Sequence, residues 1–429
     1  MDTVLKRGTR RWTMLSSKVS NGFRKINLLQ INPSVAILKG LNFTLPATPL
    51  TDMSDPSSHH PTCVHVNLEA FRHNIRCVRS YCGESVRIMA IVKANAYGHG
   101  VVKLCRVAIA EGVEYLGVAR AEEALEIRRE GIDHPVLVFE ITPGNHVAAA
   151  LSENIELTIA EPGAADAISA TAAKLGKSAR VHLKVDTGMG RLGLPFASAP
   201  AVIEEILRRP HLELVSVYSH FATSEEPDTS FAREQLSRFR QVLDDLGKRR
   251  IEVPIRHMAN SGAVICMPEA HFEMVRPGIM LYGYPPARNL SEHFPVRPVM
   301  SLVSKVSMIK QVEAGTPVSY GRRYVAPRRT FIATVPAGYA DGFPRLLTGR
   351  ASALIRGERY PVAGTICMDH IMVDLGERTG CKVGDEVTLI GKGGAQSITA
   401  WDIAGTIGTI PYEITSLIPP RVRRVFKDS

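Results

Sequence analysis

A chain of 429 residues exceeds one ordinary domain and is long enough for a barrel plus a second domain. Hydrophobic residues at 45% and charged residues at 22% exclude a disordered or fibrous chain. The net charge of +10 raises nucleic acid as a partner, but +7 of it lies in residues 1–50, and the remaining +3 gives residues 51–429 no electrostatic case for one.

The first 50 residues carry eight Lys or Arg against the single acid Asp2. Such a segment matches a transit peptide in composition, while Lys39 and Gly40 interrupt its best apolar stretch and exclude a secretory core. Met53 opens M-S-D-P-S-S-H-H just ahead of the first strand-like run, Cys63 to Leu68. Three readings stay open for this basic extension, residues 1–60: a disordered or non-native segment, a targeting segment, or a functional arm. Disorder is the expectation carried forward.

The seven cysteines are irregularly spaced with no C-x-x-C, which argues against a disulfide framework or a zinc site and fits the reducing cytoplasm. No apolar run approaches the roughly 18–20 residues of a membrane span, so no membrane partner is expected.

From residue 86 to 278, short β-branched runs alternate with helical stretches. The runs are Val86 to Ala94, Val113 to Val118, Pro135 to Glu140, Ile155 to Ala160, Ala179 to Asp186, Leu212 to His220, Ile255 to Ala259 and Phe272 to Val275. Helix-like segments such as Ala121 to Glu130, Gly163 to Leu175 and Ser230 to Arg249 lie between them. Parallel neighbours need a crossover helix, so eight such units predict a (β/α)8 barrel over residues 61–297. The Cys63 to Leu68 run is expected to join a second domain instead.

That second domain, residues 298–429, reads as mainly antiparallel β. Its strands are Met300 to Lys310, Thr330 to Pro336, Ala351 to Ile355, Ile371 to Leu375 and Glu386 to Ile390, with one helix near Thr399 to Gly405. The turn Gly391 to Gly394 has no helix after it and reads as a hairpin rather than a phosphate loop.

Function in a barrel collects at the C-terminal strand ends. The first barrel strand ends V-K-A-N-A-Y-G-H-G, which puts Lys93 at the mouth. Desolvation there lowers a lysine pKa and frees the amine for a Schiff base. The fifth run ends K-V-D-T-G-M-G-R-L-G, with Lys184 inside the strand and Arg191 above it. Ser219, His220, Asn260, Ser261, Arg276 and Gly278 close the sixth to eighth runs. Lysines, arginines, a histidine and a serine on one rim suit a ligand bearing a phosphate and a carboxylate. The β domain adds A-G-Y-A-D-G-F around Tyr339 and G-T-I-C-M-D-H around Met368.

These motifs together closely resemble the alanine racemase family, from about Val64 to the C-terminal region. The resemblance implies a homodimeric isomerase that interconverts L- and D-alanine with pyridoxal 5'-phosphate and supplies D-alanine for peptidoglycan. It implies that Lys93 holds the cofactor as a Schiff base and is one of two catalytic bases. Tyr339, from the partner subunit, would be the second, polarised by His220. Arg276 would face the pyridine nitrogen and Arg191 the cofactor phenolate and substrate carboxylate. Tyr97, Ser261, Gly278, Ile279 and Tyr412 would hold the phosphate, and the Met368 amide the substrate carboxylate. The lysine matching Lys184 is carbamylated in many relatives. No metal is implied.

Three competitors remain. A broad-specificity or serine racemase would share the base pair. A basic amino-acid decarboxylase shares barrel and β domain but needs no G-Y-A-D-G tyrosine. A non-catalytic carrier of the same cofactor would lack the second domain.

Overall fold

A computed structural model describes residues 59–290 and 294–428. The basic extension, and with it the expectation of disorder, falls almost wholly outside the described residues.

Eight parallel strands form the barrel in the order Met274–Val275, Arg87–Ile91, Tyr115–Val118, Val136–Val138, Glu156–Ile159, Ala179–Asp186, Leu212–Tyr218 and Ile255–His257. Each falls within one of the eight apolar runs. Their sequences are near-continuous hydrophobics because a parallel strand is covered on both faces. The ring is nearly closed: no ladder joins the last strand to Met274–Val275, but the Arg276 amide donates to Ala259 O at 2.9 Å.

The helices Ala121–Arg129, Pro162–Leu175 and Ser230–Lys248 lie where their periodicity predicts them. In Ser230–Lys248, the residues Ala232, Gln235, Leu236, Phe239, Val242 and Leu246 are buried, a three-to-four-residue spacing that turns one stripe onto the barrel.

The Cys63–Asn67 strand lies outside the barrel. It pairs antiparallel with Met300–Lys305 and parallel with Arg423–Lys427, so one sheet joins the two ends of the described chain. That sheet continues through Glu386–Gly393 and Ser352–Ile355 to Glu358–Pro361. A second sheet holds Met308–Val312, Thr330–Val335 and Ile371–Gly376. The single expected strand Met300 to Lys310 is therefore two strands in different sheets. The switch falls at Val306, whose amide donates to Asp385 O, and Ser307, whose amide donates to Thr334 O. Gly391–Gly393 pairs antiparallel with Gln396–Ile398, so the glycine-rich turn is a hairpin.

Candidate active site

The first barrel strand stops at Ile91, two residues before Lys93. The chain then enters a left-handed turn, in which Ala94, Asn95, Ala96 and Tyr97 have φ of 53°, 54°, 53° and 51°. Each L-residue costs roughly 1–2 kcal/mol in that conformation, and four in a row require strong outside restraint. Gly98 ends the turn at φ 82°, where an added Cβ would lie 2.2 Å from Thr415 O. Lys93 therefore sits at the start of a constrained segment and Tyr97 at its end.

A cavity of about 900 Å³ opens at the C-terminal ends of the barrel strands. Ten of the twelve candidate site residues line it: Lys93, Tyr97, Lys184, Arg191, His220, Ser261, Arg276, Gly278, Ile279 and Tyr412. Burial, reinforced by Arg191, pulls the Lys93 amine below its ordinary value against the opposing charges of Glu123 and Glu140. That favours a free amine.

Arg276 is buried, and its polar contacts gather on Nη1 and Nη2. Nη1 donates to His257 Nδ1 at 2.8 Å, and the two Nη2 hydrogens are shared among Ser219 O at 2.7 Å, Met258 O at 3.0 Å and His220 Nδ1 at 3.1 Å. Burial brings its pKa to about 10, which leaves it charged at neutral pH. Burial and then Arg276 push His220 well below its ordinary value, so this ring is neutral. Since a guanidinium only donates, the His220 proton sits on Nε2.

Lys184 is pulled to about 7 by burial, then by Arg276 and Arg191. Its Nζ lies 4.8 Å from the centre of the Tyr218 ring, and none of the ion pairs among the described residues involves it. Tyr218 also stacks on His257 with centroids 4.8 Å apart. Neither Tyr218 nor His257 stood out in the sequence, because each sits inside an apolar strand run.

At the other end of the cavity the Ser261 hydroxyl accepts from the Gly278 amide at 2.9 Å. A Cβ on Gly278 would come within 2.6 Å of the Tyr97 hydroxyl, so only glycine permits this approach. The donor set fits a phosphorylated pyridine aldehyde. A desolvated amine lies between an arginine-rich wall and a hydroxyl-lined end with close backbone approach.

Tyr339 and Met368 do not line the cavity of their own chain. They are 40% and 52% exposed on an adjoining pair of loops. The Tyr339 amide donates to Cys367 O at 3.1 Å and that of Ala340 to Met368 O at 3.0 Å. Arg421 clamps both loops, with Nε on Asp341 and Nη2 on Asp369. A third group joins them that did not stand out in the sequence. Tyr320 is 72% exposed, and its carbonyl accepts from the Thr365 hydroxyl at 2.7 Å. Its neighbours Ser319, Gly321 and Arg322 all have positive φ, at 68°, 70° and 49°. The signal in the sequence was V-S-Y-G, Val318 to Gly321, an aromatic beside glycine in a β-rich region.

Fold and site together define a two-domain barrel protein with a desolvated lysine in a cavity suited to a small anionic ligand. The family models for the alanine racemase N-terminal and C-terminal domains match residues 66–286 and 299–426. Alanine racemase 2 of Caldanaerobacter subterraneus subsp. tengcongensis is 42% identical over 367 residues, 85% of this chain and 95% of that one. The solved alanine racemase of Clostridium difficile 630 superposes with a TM-score of 0.83 at 37% identity, covering 86% of this chain and 96% of that one. That of Bacillus anthracis, with bound L-Ala-P, gives 0.82 at 35% over 86% and 95%. The chain belongs to the alanine racemase family, isomerases that interconvert L- and D-alanine.

Proposed function

We propose that the chain racemises alanine with pyridoxal 5'-phosphate held on Lys93, in a site completed by a second copy, and that it supplies D-alanine for peptidoglycan in the cytoplasm. One observation carries the reading. The cavity holds a desolvated lysine and the anion-binding donors, while the β-domain groups suited to act on the opposite face lie exposed outside it. A two-fold dimer brings one copy's loops to the other's cavity, with two equivalent sites at the interface. The seven cysteines are all free, as expected of a reducing compartment.

When bound, the cofactor spreads the charge left at Cα as its proton departs. Tyr97, Ser261, Gly278, Ile279 and Tyr412 would hold its phosphate, Arg276 its ring nitrogen and Arg191 its phenolate. Arg276 stays charged and cannot give up a proton to that nitrogen, which limits charge delocalisation and biases the site toward quick reprotonation. The Lys93 amine takes or returns the Cα proton on one face. A phenol from the partner does so on the other face, polarised by His220 through Nε2, and the Met368 amide binds the substrate carboxylate.

Tyr339 is the sequence candidate for that phenol; the geometry favours Tyr320. A group that must reach into another subunit's cavity has to stand clear of its own surface, and Tyr320 is the more exposed of the two. Ser319 and Arg322 near it hold positive φ, and such strain is often kept at functional positions. With its pKa at about 7 and no ion-pair partner among the described residues, Lys184 offers a large share of neutral amine, the form to which carbon dioxide adds. The resulting carbamate would face Arg191 and Arg276.

Borohydride reduction of the cofactor-loaded protein should fix the label on Lys93. A label on Lys184 or Lys103 would overturn the assignment.

A further inference from the structure

Part of the restraint on the left-handed turn comes from a neighbouring helix. Glu123 lies at the start of the helix Ala121–Arg129, which follows the second barrel strand. Its Oε1 accepts from the Ala94 amide at 2.6 Å, the peptide immediately after Lys93. Its Oε2 accepts from the amides of Ala119 at 2.8 Å and Arg120 at 3.1 Å. At the far end of the turn His99 Nδ1 reaches Ala96 O at 3.0 Å and Tyr97 O at 2.9 Å, and the Asn95 side chain accepts from Val101 N at 2.8 Å.

We propose that Glu123 is a positioning residue for Lys93. Its two oxygens tie the lysine's end of the turn to the mouth of the neighbouring strand and so set the lysine's distance from Tyr97. The proposal rests on Lys93 and Tyr97 holding opposite ends of one cofactor.

Three amide donors on two separate elements need two acceptor oxygens, which a carboxylate provides and an amide does not. In Glu123→Gln one oxygen remains. It satisfies more donors at Ala119 and Arg120, so the NH2 group turns toward the Ala94 N–H and that tie is lost. The substitution thus separates anchoring of the turn from capping of the helix. It also removes a negative charge that favours the protonated form at Lys93.

The test is hydrogen–deuterium exchange of the cofactor-loaded enzyme, with cofactor affinity and the pH titration of its visible band measured on the same samples. Glu123→Gln should speed exchange in residues 93–100 by about tenfold or more while residues 121–129 stay protected. Cofactor affinity should fall about tenfold, and the band should titrate at lower pH. Glu123→Asp keeps the charge but loses one methylene of reach. It should loosen the turn likewise, and it serves if the glutamine variant does not fold. Unchanged exchange in 93–100 with unchanged cofactor affinity overturns the proposal. So does loosening of turn and helix in step at unchanged affinity, which would make Glu123 a helix cap alone. A borohydride label away from Lys93 would instead overturn the cofactor assignment and leave the exchange result standing.

Discussion

Arg276 Nη1 lies 2.8 Å from His257 Nδ1, and because a guanidinium only donates, that ring nitrogen carries no proton. Burial and Arg276 push His257 well below its ordinary value, so the ring is neutral and its proton is on Nε2, which donates to Ser216 Oγ at 2.8 Å. The one other side-chain partner of Ser216 among the described residues is His182 Nδ1 at 2.6 Å, so the hydroxyl donates there. His182 Nε2 then donates to Glu156 at 2.6 Å, and Arg180 holds the second Glu156 oxygen at 2.7 Å. Burial works against the Glu156 charge, but His182 and Arg180 together keep its carboxyl below the ordinary value. One direction of hydrogen bonding satisfies every member of this buried chain.

Glu156→Gln should reverse that direction. Arg180 keeps the amide oxygen, the NH2 group donates to His182 Nε2, and each later bond flips until an N–H of His257 faces an N–H of Arg276. A buried donor left unpaired costs about 1–3 kcal/mol of stability, and Arg276 should shift to relieve it, lowering kcat about tenfold with little change in KM. Steady-state kinetics in both directions check this. Unaltered kcat would mean the chain does not bear on Arg276.

The two phenols are separable by isotope exchange. Tyr320→Phe should stop washout of the Cα proton of L-alanine into deuterated water while exchange of D-alanine through Lys93 continues. Tyr339→Phe should leave both exchanges running and alter chiefly KM. The opposite pattern would return the second base to Tyr339. Equal residual exchange of both enantiomers in both variants would argue against two bases.

Lys184 makes stability pH-dependent. Its folded pKa of about 7 lies below the ordinary 10.5, so between these values the unfolded chain binds the extra proton. Stability therefore rises with pH across that window and is level in this respect below it. In carbon-dioxide-free buffer the melting temperature should climb from pH 7 toward 10, and Lys184→Met should remove that part of the slope. Added bicarbonate should raise the wild-type melting temperature, and not that of Lys184→Met, if the amine carbamylates, because the carbamate forms on the folded state alone. A wild-type slope identical to that of Lys184→Met would show that this amine does not titrate there.

Much of the fold was legible because parallel strands buried on both faces are short apolar runs, and all eight barrel strands fall within theirs. Strand ends were less legible. The run through Ala94 reads as continuous strand, yet the chain leaves the sheet at Ile91, since left-handed φ at Ala94 to Tyr97 has no residue signature without glycine. Met300 to Lys310 likewise gives no hint that it changes sheets at Val306. Polar residues at strand ends announced the cavity, whereas His257, Ser216, His182 and Glu156 were hidden within apolar runs. Tyr320 did not stand out for another reason. On its own chain, a phenol proposed to serve a second copy is no more than an exposed aromatic.

The most direct test of a site built from two subunits is complementation. Lys93→Ala and Tyr320→Phe should each be inactive in racemisation as homodimers. After verified subunit exchange, a mixture should recover activity, since each heterodimer carries one site with neither substitution. Alanine racemisation restored toward about a quarter of wild type, as random pairing with one intact site per heterodimer gives, is the predicted result. No recovery in a sample whose heterodimers are demonstrated would contradict the shared site.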